Sequence, residues 1–485
     1  MQDFTKPKRL SLRHTLVLGV AGLALISGPA FAGPAKEKEL EARIAALEGL
    51  FGNLQSQLAT TQVENQRLRA EAAASQAQVM ELAASTQSLK TIVNTPAPPP
   101  PPAPPPPDGF KVGATTIKLG GFIKTVMDFS KYSDGDVATG SLGRDFYLPQ
   151  TIPVGGTKES VDNDFSAKQT RLWMNLETNV AGHVLKGYVE TDFQTSPGTQ
   201  GSERTTNGYN LALRRAYLQY DKLTVGQDWS TFQNPGTLPE STDFIGPTEG
   251  SVFARQALVR YSTPLSKTAT LQLALENAET ASASIASLTP TALIENDDDG
   301  APDVVARINY TLPKGEISVA GIVRQLSVDN GAVGSNSTGY GASVGGKFVF
   351  GPTKNYDLRF MATYGSGIGR YLGLNFAPDT IYVSATNDLT EIKGFAGFAA
   401  FKVNWDPKTR STFMAGYQEV DYDKVLTAAS LAPFNKSSYS LAANLFYTPV
   451  KGLDLGVEYR HGVRELVSGA DGALDRLEFV AKYGF

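Results

Sequence analysis

The sequence predicts an all-β fold, a 16-stranded antiparallel transmembrane β-barrel, preceded by an N-terminal α-helical coiled coil. Three observations predict it. Sixteen segments with alternating apolar and polar residues follow residue 116, and short and long connections alternate between them. The last of these segments keeps a strict period of two and stops at the aromatic Phe485. A heptad pattern of apolar residues occupies much of the chain before residue 95.

The composition of the 485-residue chain is compatible with a membrane barrel and excludes several other classes. Apolar residues make up 41% and the mean hydropathy is −0.18. These values resemble those of a soluble protein because a barrel alternates lipid-facing and lumen-facing residues. The absence of cysteine excludes disulfides and thiolate metal sites. A formal net charge of −4 without a basic cluster argues against nucleic acid as a partner.

Residues 1–32 are predicted to be a secretory signal peptide. Lysines and arginines open the segment, a short apolar stretch covers residues 16–26, and Ala30-Phe31-Ala32 has the small-x-small form of a cleavage site. A membrane anchor is the weaker interpretation, because the apolar stretch is about half of the ~20 residues needed to span a bilayer. The mature chain is therefore expected to begin at Gly33 and to lie outside the cytoplasm.

Residues 33–95 are predicted to form a periplasmic coiled coil. Alternate steps of four and three residues from Leu40 to Val93 give sixteen seam positions, of which twelve are apolar. A single amphipathic helix is the alternative, but a helix of about 80 Å with so narrow a seam needs a partner helix. Asn65 lies in the seam and would fix the register, whereas the mixed seam residues leave the number of helices open.

Residues 96–110 are predicted to be a Pro-rich linker, and residues 111–485 the outer-membrane β-barrel. Residues 96–107 consist of proline and alanine alone, which predicts a semi-rigid rod of roughly 35–40 Å. A peptide ligand for an SH3-type domain is the less favoured interpretation, because the segment is expected outside the cytoplasm. A stiff joint between two assemblies of different geometry is the favoured one.

The barrel strands are predicted from alternation, as in residues 164–179 and in the final strand. Eight long polar loops, among them residues 329–337 and 464–472, and seven short turns fit sixteen strands with both termini in the periplasm. A propeller would show a blade repeat, and none is visible. The final strand resembles the C-terminal assembly signal of Gram-negative outer-membrane barrels, so Phe485 is expected to help pair it with the first strand.

The lumen face predicted by this alternation is rich in basic residues. Sixteen strands leave an aqueous channel, and guanidinium groups in a pore attract carboxylates and bind them bidentately. Inward acidic residues are predicted as well, so a nonselective wall of paired charges is the alternative to a preference for anions. The candidates for contact with an anionic solute are Arg171, Arg215, Arg260, Arg307, Arg359 and Lys124.

The third long loop, residues 231–252, is expected to fold into the barrel and narrow it. It follows Trp229, is rich in proline and glycine, and contains Asp243, Phe244 and Glu249. Such a loop would set a constriction opposite the arginine-bearing strands. An ordinary external loop is the alternative.

Five strings of residues are informative: Gly226-Gln227-Asp228-Trp229-Ser230-Thr231-Phe232, Lys118-Leu119-Gly120-Gly121-Phe122-Ile123-Lys124, Lys168-Gln169-Thr170-Arg171-Leu172, Arg214-Arg215-Ala216-Tyr217 and Arg260-Tyr261. Together with the predicted coiled coil and linker, they resemble the DcaP-like trimeric outer-membrane porin family, and the resemblance covers essentially the whole mature chain. It implies a homotrimer of sixteen-stranded barrels with coiled coils joined in the periplasm. It also implies passive uptake of small anionic solutes such as dicarboxylates and aromatic acids, with Arg171, Arg215 and Arg260 as binding candidates.

The sequence therefore predicts a porin of the Gram-negative outer membrane, in contact with lipid and lipopolysaccharide, with its N-terminal arm in the periplasm. The alternative is a structural envelope protein that tethers the outer membrane through this arm, with peptidoglycan as a further partner. No cofactor, metal or enzymatic activity is expected, because His183 and His461 are the only histidines of the mature chain and neither lies in a catalytic pattern.

Overall fold

The computed structural model describes residues 109–194, 208–284, 293–294, 299–329, 334–383 and 385–485. The predicted signal peptide, the predicted coiled coil and nearly all of the predicted linker lie outside these residues. No helix among the described residues is long and apolar enough to cross a membrane.

Sixteen antiparallel strands of the described chain form one closed barrel, in which each strand pairs with its neighbours in chain order. A short strand, Phe110–Val112, precedes them and pairs with the start of the first. The barrel strands are β1 (Thr115–Tyr132), β2 (Ser160–Ser166 and Arg171–Val180), β3 (His183–Asp192), β4 (Ala212–Tyr220), β5 (Leu223–Trp229), β6 (Arg255–Pro264), β7 (Ala269–Glu276), β8 (Asp303–Leu312), β9 (Gly315–Asp329), β10 (Gly334–Phe350), β11 (Tyr356–Ser366), β12 (Lys393–Asn404), β13 (Thr409–Asp421), β14 (Asn435–Val450), β15 (Leu453–Leu466) and β16 (Asp471–Gly484).

The barrel closes between β1 and β16. Their register runs from the pair Phe122 and Gly484 to the pair Tyr132 and Leu474. Beyond Gly484, the backbone N–H of Gly121 donates to the carbonyl of Phe485 at 3.2 Å, and the N–H of Phe485 donates back at 3.1 Å. Closure leaves no unpaired strand edge, which a barrel in lipid requires. The predicted 16-stranded antiparallel barrel is therefore confirmed, whereas the predicted coiled coil lies outside the described residues.

The second strand differs from the continuous segment 164–179 that alternation predicts. It begins at Ser160 and is interrupted at residues 167–170, where the N–H of Thr170 donates to the carbonyl of Ala167 at 3.0 Å in a turn. The turn places Gln169 in the interior, where its amide oxygen accepts a hydrogen bond from Lys124 Nζ at 2.6 Å. An inserted turn breaks the period of two, so alternation cannot predict it.

The predicted separation into long loops and short turns is only partly right. Two predicted long loops, 329–337 and 464–472, are short connections, because β9, β10, β15 and β16 extend further than the alternation suggests. The loops between β1 and β2, between β5 and β6 and between β11 and β12 are long, and each contains short helical turns or strands. The short elements of the connections are the α-helices Leu142–Asp145 and Ala428–Leu431, the 3-10 helices Pro149–Thr151, Pro235–Thr237, Thr248–Gly250 and Gly369–Tyr371, and a small sheet of Ser282–Ser284, Leu293–Ile294, Thr380–Val383 and Asp388–Glu391.

The outer surface of the barrel is apolar and the inner surface is polar. In β1, Ile123, Met127 and Phe129 are 52%, 40% and 41% exposed, while the alternate residues Lys124 and Asp128 are buried in the interior. Exposed large apolar side chains continue around the other strands. A continuous exposed apolar surface of this size is uncommon in a soluble monomer and is what lipid contact requires.

Candidate functional site

The interior of the barrel is crossed by the loop between β5 and β6, residues 230–254, which we name the inner loop. Its residues Thr231, Phe232 and Glu249 are almost completely buried. Gly250 lies so close to β12 that a Cβ on it would be 2.3 Å from the backbone of Gly397. The inner loop is thus packed against strands on the far side of the barrel from those that carry it.

Ion pairs and hydrogen bonds attach the middle of the inner loop to these far strands. Glu240 accepts from Arg410 of β13 at 2.7 Å and pairs with Lys402 of β12 at 2.8 Å. The hydroxyl of Ser241 donates to Glu458 of β15 at 2.7 Å. Burial alone would raise the pKa of Glu240, but the hydrogen bond from Arg410 and the charge of Lys402 outweigh burial and lower it. Glu240 is therefore a charged anchor of the loop.

Two further carboxyls hold the second half of the inner loop. Asp243 accepts from the backbone N–H groups of Tyr147, Ile245 and Gly246 at 2.7, 2.9 and 3.0 Å. Glu249 accepts from the hydroxyl of Tyr147 at 2.6 Å and from Ser440 of β14 at 2.9 Å. Burial raises the pKa of Glu249, although these hydroxyls lower it in part. Asp243 and Glu249 therefore shape the loop rather than face open space.

Six arginines line the interior on β2, β4, β6 and β8, and we name them the arginine wall. Four of them share three carboxylates. Arg214 Nε lies 2.7 Å from Glu190, and Arg171 Nη1 lies 3.6 Å from the same carboxylate. Arg215 Nε lies 2.6 Å from Asp228, which also pairs with Arg260. The members of the arginine wall are Arg171, Arg214, Arg215, Arg255, Arg260 and Arg307, and the shared carboxylates are Glu190, Asp192 and Asp228.

A β-bulge aims two consecutive arginines into the interior. Thr191 of β3 pairs with Leu213 and Glu190 pairs with Arg215, so Arg214 is an extra residue without a partner in the register. Both Arg214 and Arg215 then point inward, as bulges allow. Strict alternation sends one of them into lipid, which is why it predicts Arg215 and misses Arg214. The sequence signal for this bulge is the pair of consecutive arginines. Strict alternation would place one of them against lipid, where an arginine costs about 2–4 kcal/mol at mid-membrane.

Two members of the arginine wall have no carboxylate partner among the described residues. Arg307 donates to the amide oxygen of Gln272 at 2.9 Å, and its Nη1 has no hydrogen-bond partner. The guanidinium of Arg255 lies 5.1 Å from the ring centre of Trp229 and 5.9 Å from that of Phe253. Its Nη1 is buried and has no hydrogen-bond partner either. Arg255 was not predicted as a site residue, because it stands at the very start of β6, where alternation is not yet established.

Aromatic rings stack beside the arginine wall. The ring centres of Trp229 and Phe253 are 4.8 Å apart, those of Phe253 and Phe244 are 5.8 Å apart, and Phe244 lies 5.2 Å from Phe146. The guanidinium of Arg214 lies 5.1 Å from the centre of the Phe244 ring. Planar cations and aromatic faces at these distances attract each other. The predicted residues Trp229 and Phe244 thus lie together with the arginine wall.

The remaining predicted residues, Lys124 and Arg359, hold the inner loop. Lys124 Nζ donates to the carbonyl of Thr242, and an Nη group of Arg359 donates to the carbonyl of Leu238. Arg359 is also paired with Asp357 of its own strand at 2.9 Å. A cavity of about 270 Å³ remains between the loop and the barrel wall. Its charged lining is Lys124, Arg171 and Lys482 from the wall, Glu240 and Asp243 from the loop, and Asp454.

No group of three or more histidine and carboxylate side chains in the described part of the chain is placed to hold a metal ion. The arrangement as a whole offers charge and aromatic surface rather than a nucleophile with its base. What it can do chemically is bind and orient charged solutes.

Comparison with known proteins assigns the barrel to a family. The model of the DcaP outer membrane protein family matches residues 122–485. The outer membrane channel DcaP of Acinetobacter baumannii is 26% identical, with a TM-score of 0.61 over 78% of this chain and 99% of that chain. None of the curated proteins compared with the chain matches it.

Two other solved barrels are more distant. The outer-membrane expressed OmpT of Vibrio cholerae is 11% identical, with a TM-score of 0.48 over 78% of this chain and 100% of that chain. The anion-selective porin from Comamonas acidovorans is also 11% identical, with a TM-score of 0.47 over 76% of this chain and 100% of its own. The assignment rests on the family model, which spans nearly the whole barrel, and on the A. baumannii channel. The chain is an outer-membrane β-barrel that belongs to the DcaP outer membrane protein family.

Proposed function

We propose that the protein is a porin for passive uptake of small anionic solutes, dicarboxylates and aromatic acids, through an arginine-lined and loop-constricted channel. The observation that carries this proposal is the surplus of cations on the arginine wall. Four arginines share three carboxylates, and Arg255 and Arg307 have no carboxylate partner among the described residues. A surplus of cations on a channel wall raises the local concentration of anions and excludes cations.

The geometry of Arg255 and Arg307 suits carboxylates in particular. Each has a buried Nη1 whose hydrogens are unused, and an unused buried donor costs free energy that a bound acceptor recovers. A guanidinium offers two parallel N–H groups to a carboxylate, so a solute with one carboxylate at each end could bridge two arginines. The rings of Trp229 and Phe244 offer a face for an aromatic acid.

The inner loop is proposed as the constriction. Its anchors between residues 238 and 249 hold it across the interior, so it would narrow the path without moving during passage. In this proposal Trp229 and Phe244 contact the solute, while Asp243 and Glu249 keep the loop in shape.

Reversal potentials across planar bilayers in a potassium chloride gradient test the proposal. The wild-type channel should favour chloride. Arg255→Gln and Arg307→Gln should each lower the chloride-to-potassium permeability ratio roughly twofold, since each removes one unshared cation. Lys222→Gln, in the exposed turn before β5, is the matched control and should leave the ratio unchanged. Cation selectivity of the wild-type channel would overturn the proposal.

A second proposal concerns residues 33–110, which lie almost entirely outside the described residues. The heptads favour association of chains through this arm. We propose that the arm joins three chains into a homotrimer and tethers the outer membrane, with peptidoglycan as its partner. Deletion of residues 36–107 separates this role from transport. If the arm is structural, single-channel conductance should persist while envelope integrity or trimer stability falls. Unchanged trimers and an intact envelope would contradict it.

A further inference from the structure

Three carboxylates stand side by side on the interior face of β1, β16 and β15. Asp128 pairs directly with Glu478 across β1 and β16, and Glu478 pairs directly with Glu458 across β16 and β15. Each of the three is only 2% exposed. Directly opposed side chains have Cβ atoms about 4.5–5.5 Å apart, and like charges in such positions destabilise a sheet.

Glu458, at one end of this row, accepts hydrogen bonds from four donors. It accepts from Arg460 at 2.7 Å, from Asn444 at 3.0 Å and from Ser241 at 2.7 Å. The backbone N–H of Thr242 donates to it at 3.1 Å. Four donors, one of them a cation, stabilise an ionised carboxylate even where water is absent.

Glu478, in the middle of the row, has no hydrogen-bond donor among the described residues. Neither of its carboxyl oxygens has a hydrogen-bond partner, and Oδ1 of Asp128 lacks one too. The nearby arginine, Arg476, uses its Nε on Ser130 at 2.8 Å and its Nη2 on the carbonyl of Gly143 at 2.6 Å. Lys124 Nζ is engaged by Gln169 and by the carbonyl of Thr242.

The charged groups that face Glu478 come from every element packed against it. Negative charges outnumber positive ones among these groups. The hydrogen bonds that Lys124 and Arg476 donate go to other acceptors, and Nη1 of Arg476 makes none among the described residues. An unpartnered buried carboxylate between two others is costly, and protonation removes that cost. The facing groups are Asp128 and Lys124 of β1, Glu458 of β15, Asp243 of the inner loop and Arg476 of β16.

We propose that Glu478 is a proton-binding site that makes the anion preference of the channel depend on pH. At about pH 7 Glu478 carries a proton, and its O–H donates to the unpartnered Oδ1 of Asp128. As the pH rises the proton leaves to hydroxide in the lumen, and a negative charge remains beside Glu458. The carboxyls of Glu478 and Asp128 are too close for both to ionise freely, so this pair shares one proton. The electrical consequence rests on the proposed function, whereas the proton site does not.

The inner loop converts this charge into an effect on permeation. Ser241 and Thr242 of the loop donate hydrogen bonds to Glu458, which pairs directly with Glu478. Ionised Glu478 repels Glu458 and Asp243 and lowers the positive potential beside the loop. Anion preference should therefore fall as the pH rises.

Reversal potentials measured from about pH 5 to about pH 9 test the electrical effect. The wild-type chloride-to-potassium ratio should fall severalfold in one step, whereas Glu478→Gln should match the wild type at about pH 7 and lack the step. Glu177→Gln is the matched control, because this interior carboxyl has a 57% exposed side chain and should leave the step in place. A step that persists in Glu478→Gln, or a higher ratio than wild type at neutral pH, would overturn the proposal.

Infrared difference spectra test the proton site without relying on conductance. Wild-type protein minus Glu478→Gln, at neutral pH, should show the C=O stretch of one protonated carboxyl. Absence of this band overturns the inference whatever the selectivity. Cation selectivity with the band present would overturn only the proposed function.

If Glu478→Gln fails to assemble, Asp128→Asn serves instead, and it should move the wild-type step toward acidic pH because one opposing charge is gone.

Discussion

Arg214 holds two buried carboxylates at once, and this double contact sets the cost of replacing it. Its side chain is 1% exposed, its Nε lies 2.7 Å from Glu190 and its Nη1 pairs with Asp192. Removing one partner of a buried ion pair leaves uncompensated charge and costs about 3–5 kcal/mol. We expect Arg214→Met to lower the free energy of unfolding by about 3 kcal/mol, measured by denaturant unfolding in detergent.

Arg215→Met is the control for this prediction. The Arg215 side chain is 21% exposed, and its main partner Asp228 keeps Arg260 when Arg215 is lost. The loss of stability should therefore be clearly smaller than for Arg214→Met. Equal losses would mean that the bulge geometry, rather than the paired charges, determines stability here.

Alternation predicts single residues well only where a strand is regular. It is enough to place Lys124 and Asp128 on the interior face of β1, because no insertion disturbs that strand. It fails for Arg214, where the bulge adds a residue, and for Arg255, which precedes any established alternation. Which arginines lack a carboxylate partner depends on side-chain contacts across paired strands, such as that of Arg307 with Gln272 of β7, and periodicity within one strand carries no information about these.

Among the elements, the inner loop should be sensitive to pH through Glu249. Burial raises the pKa of this carboxyl. A carboxyl whose pKa is higher in the folded than in the unfolded protein stabilises the fold when it is protonated. This stabilisation is fully present below the ordinary glutamate pKa and is lost as the pH rises through the raised pKa. The packing of the loop should therefore weaken with rising pH. Glu249→Gln should flatten this dependence, as measured by the thermal unfolding midpoint across pH.

Glu240→Gln provides a control with the opposite sign. The donors Arg410 and Lys402 lower the pKa of Glu240 despite its burial. Its contribution to stability is present above the ordinary glutamate pKa and is lost as the pH falls through the lowered value. Glu240→Gln should therefore destabilise the loop at neutral pH and leave the alkaline loss intact. An alkaline loss that survives in Glu249→Gln would show that another group causes it.

At the scale of the whole molecule, closure depends on the last pairing between β16 and β1. Phe485 forms two backbone hydrogen bonds with Gly121, at 3.2 and 3.1 Å, and its ring is 58% exposed on the barrel surface. Each backbone bond contributes about 1 kcal/mol, and the surface ring gains more from contact with lipid than with water. Deletion of Phe485 should therefore lower the yield of folded barrel in the outer membrane severalfold, measured by heat-modifiable migration in gels.

The barrels that do assemble without Phe485 should conduct like the wild type, because the arginine wall and the inner loop make no contact with this residue. Phe479→Ala is the matched control, since it removes an exposed aromatic ring of the same strand and leaves the backbone pairing of β16 with β1 in place. A similar loss of yield in both variants would trace the effect to the lipid-facing ring alone. A changed reversal potential in the shortened chain would instead couple closure to the pore, which the separation of Phe485 from the interior argues against.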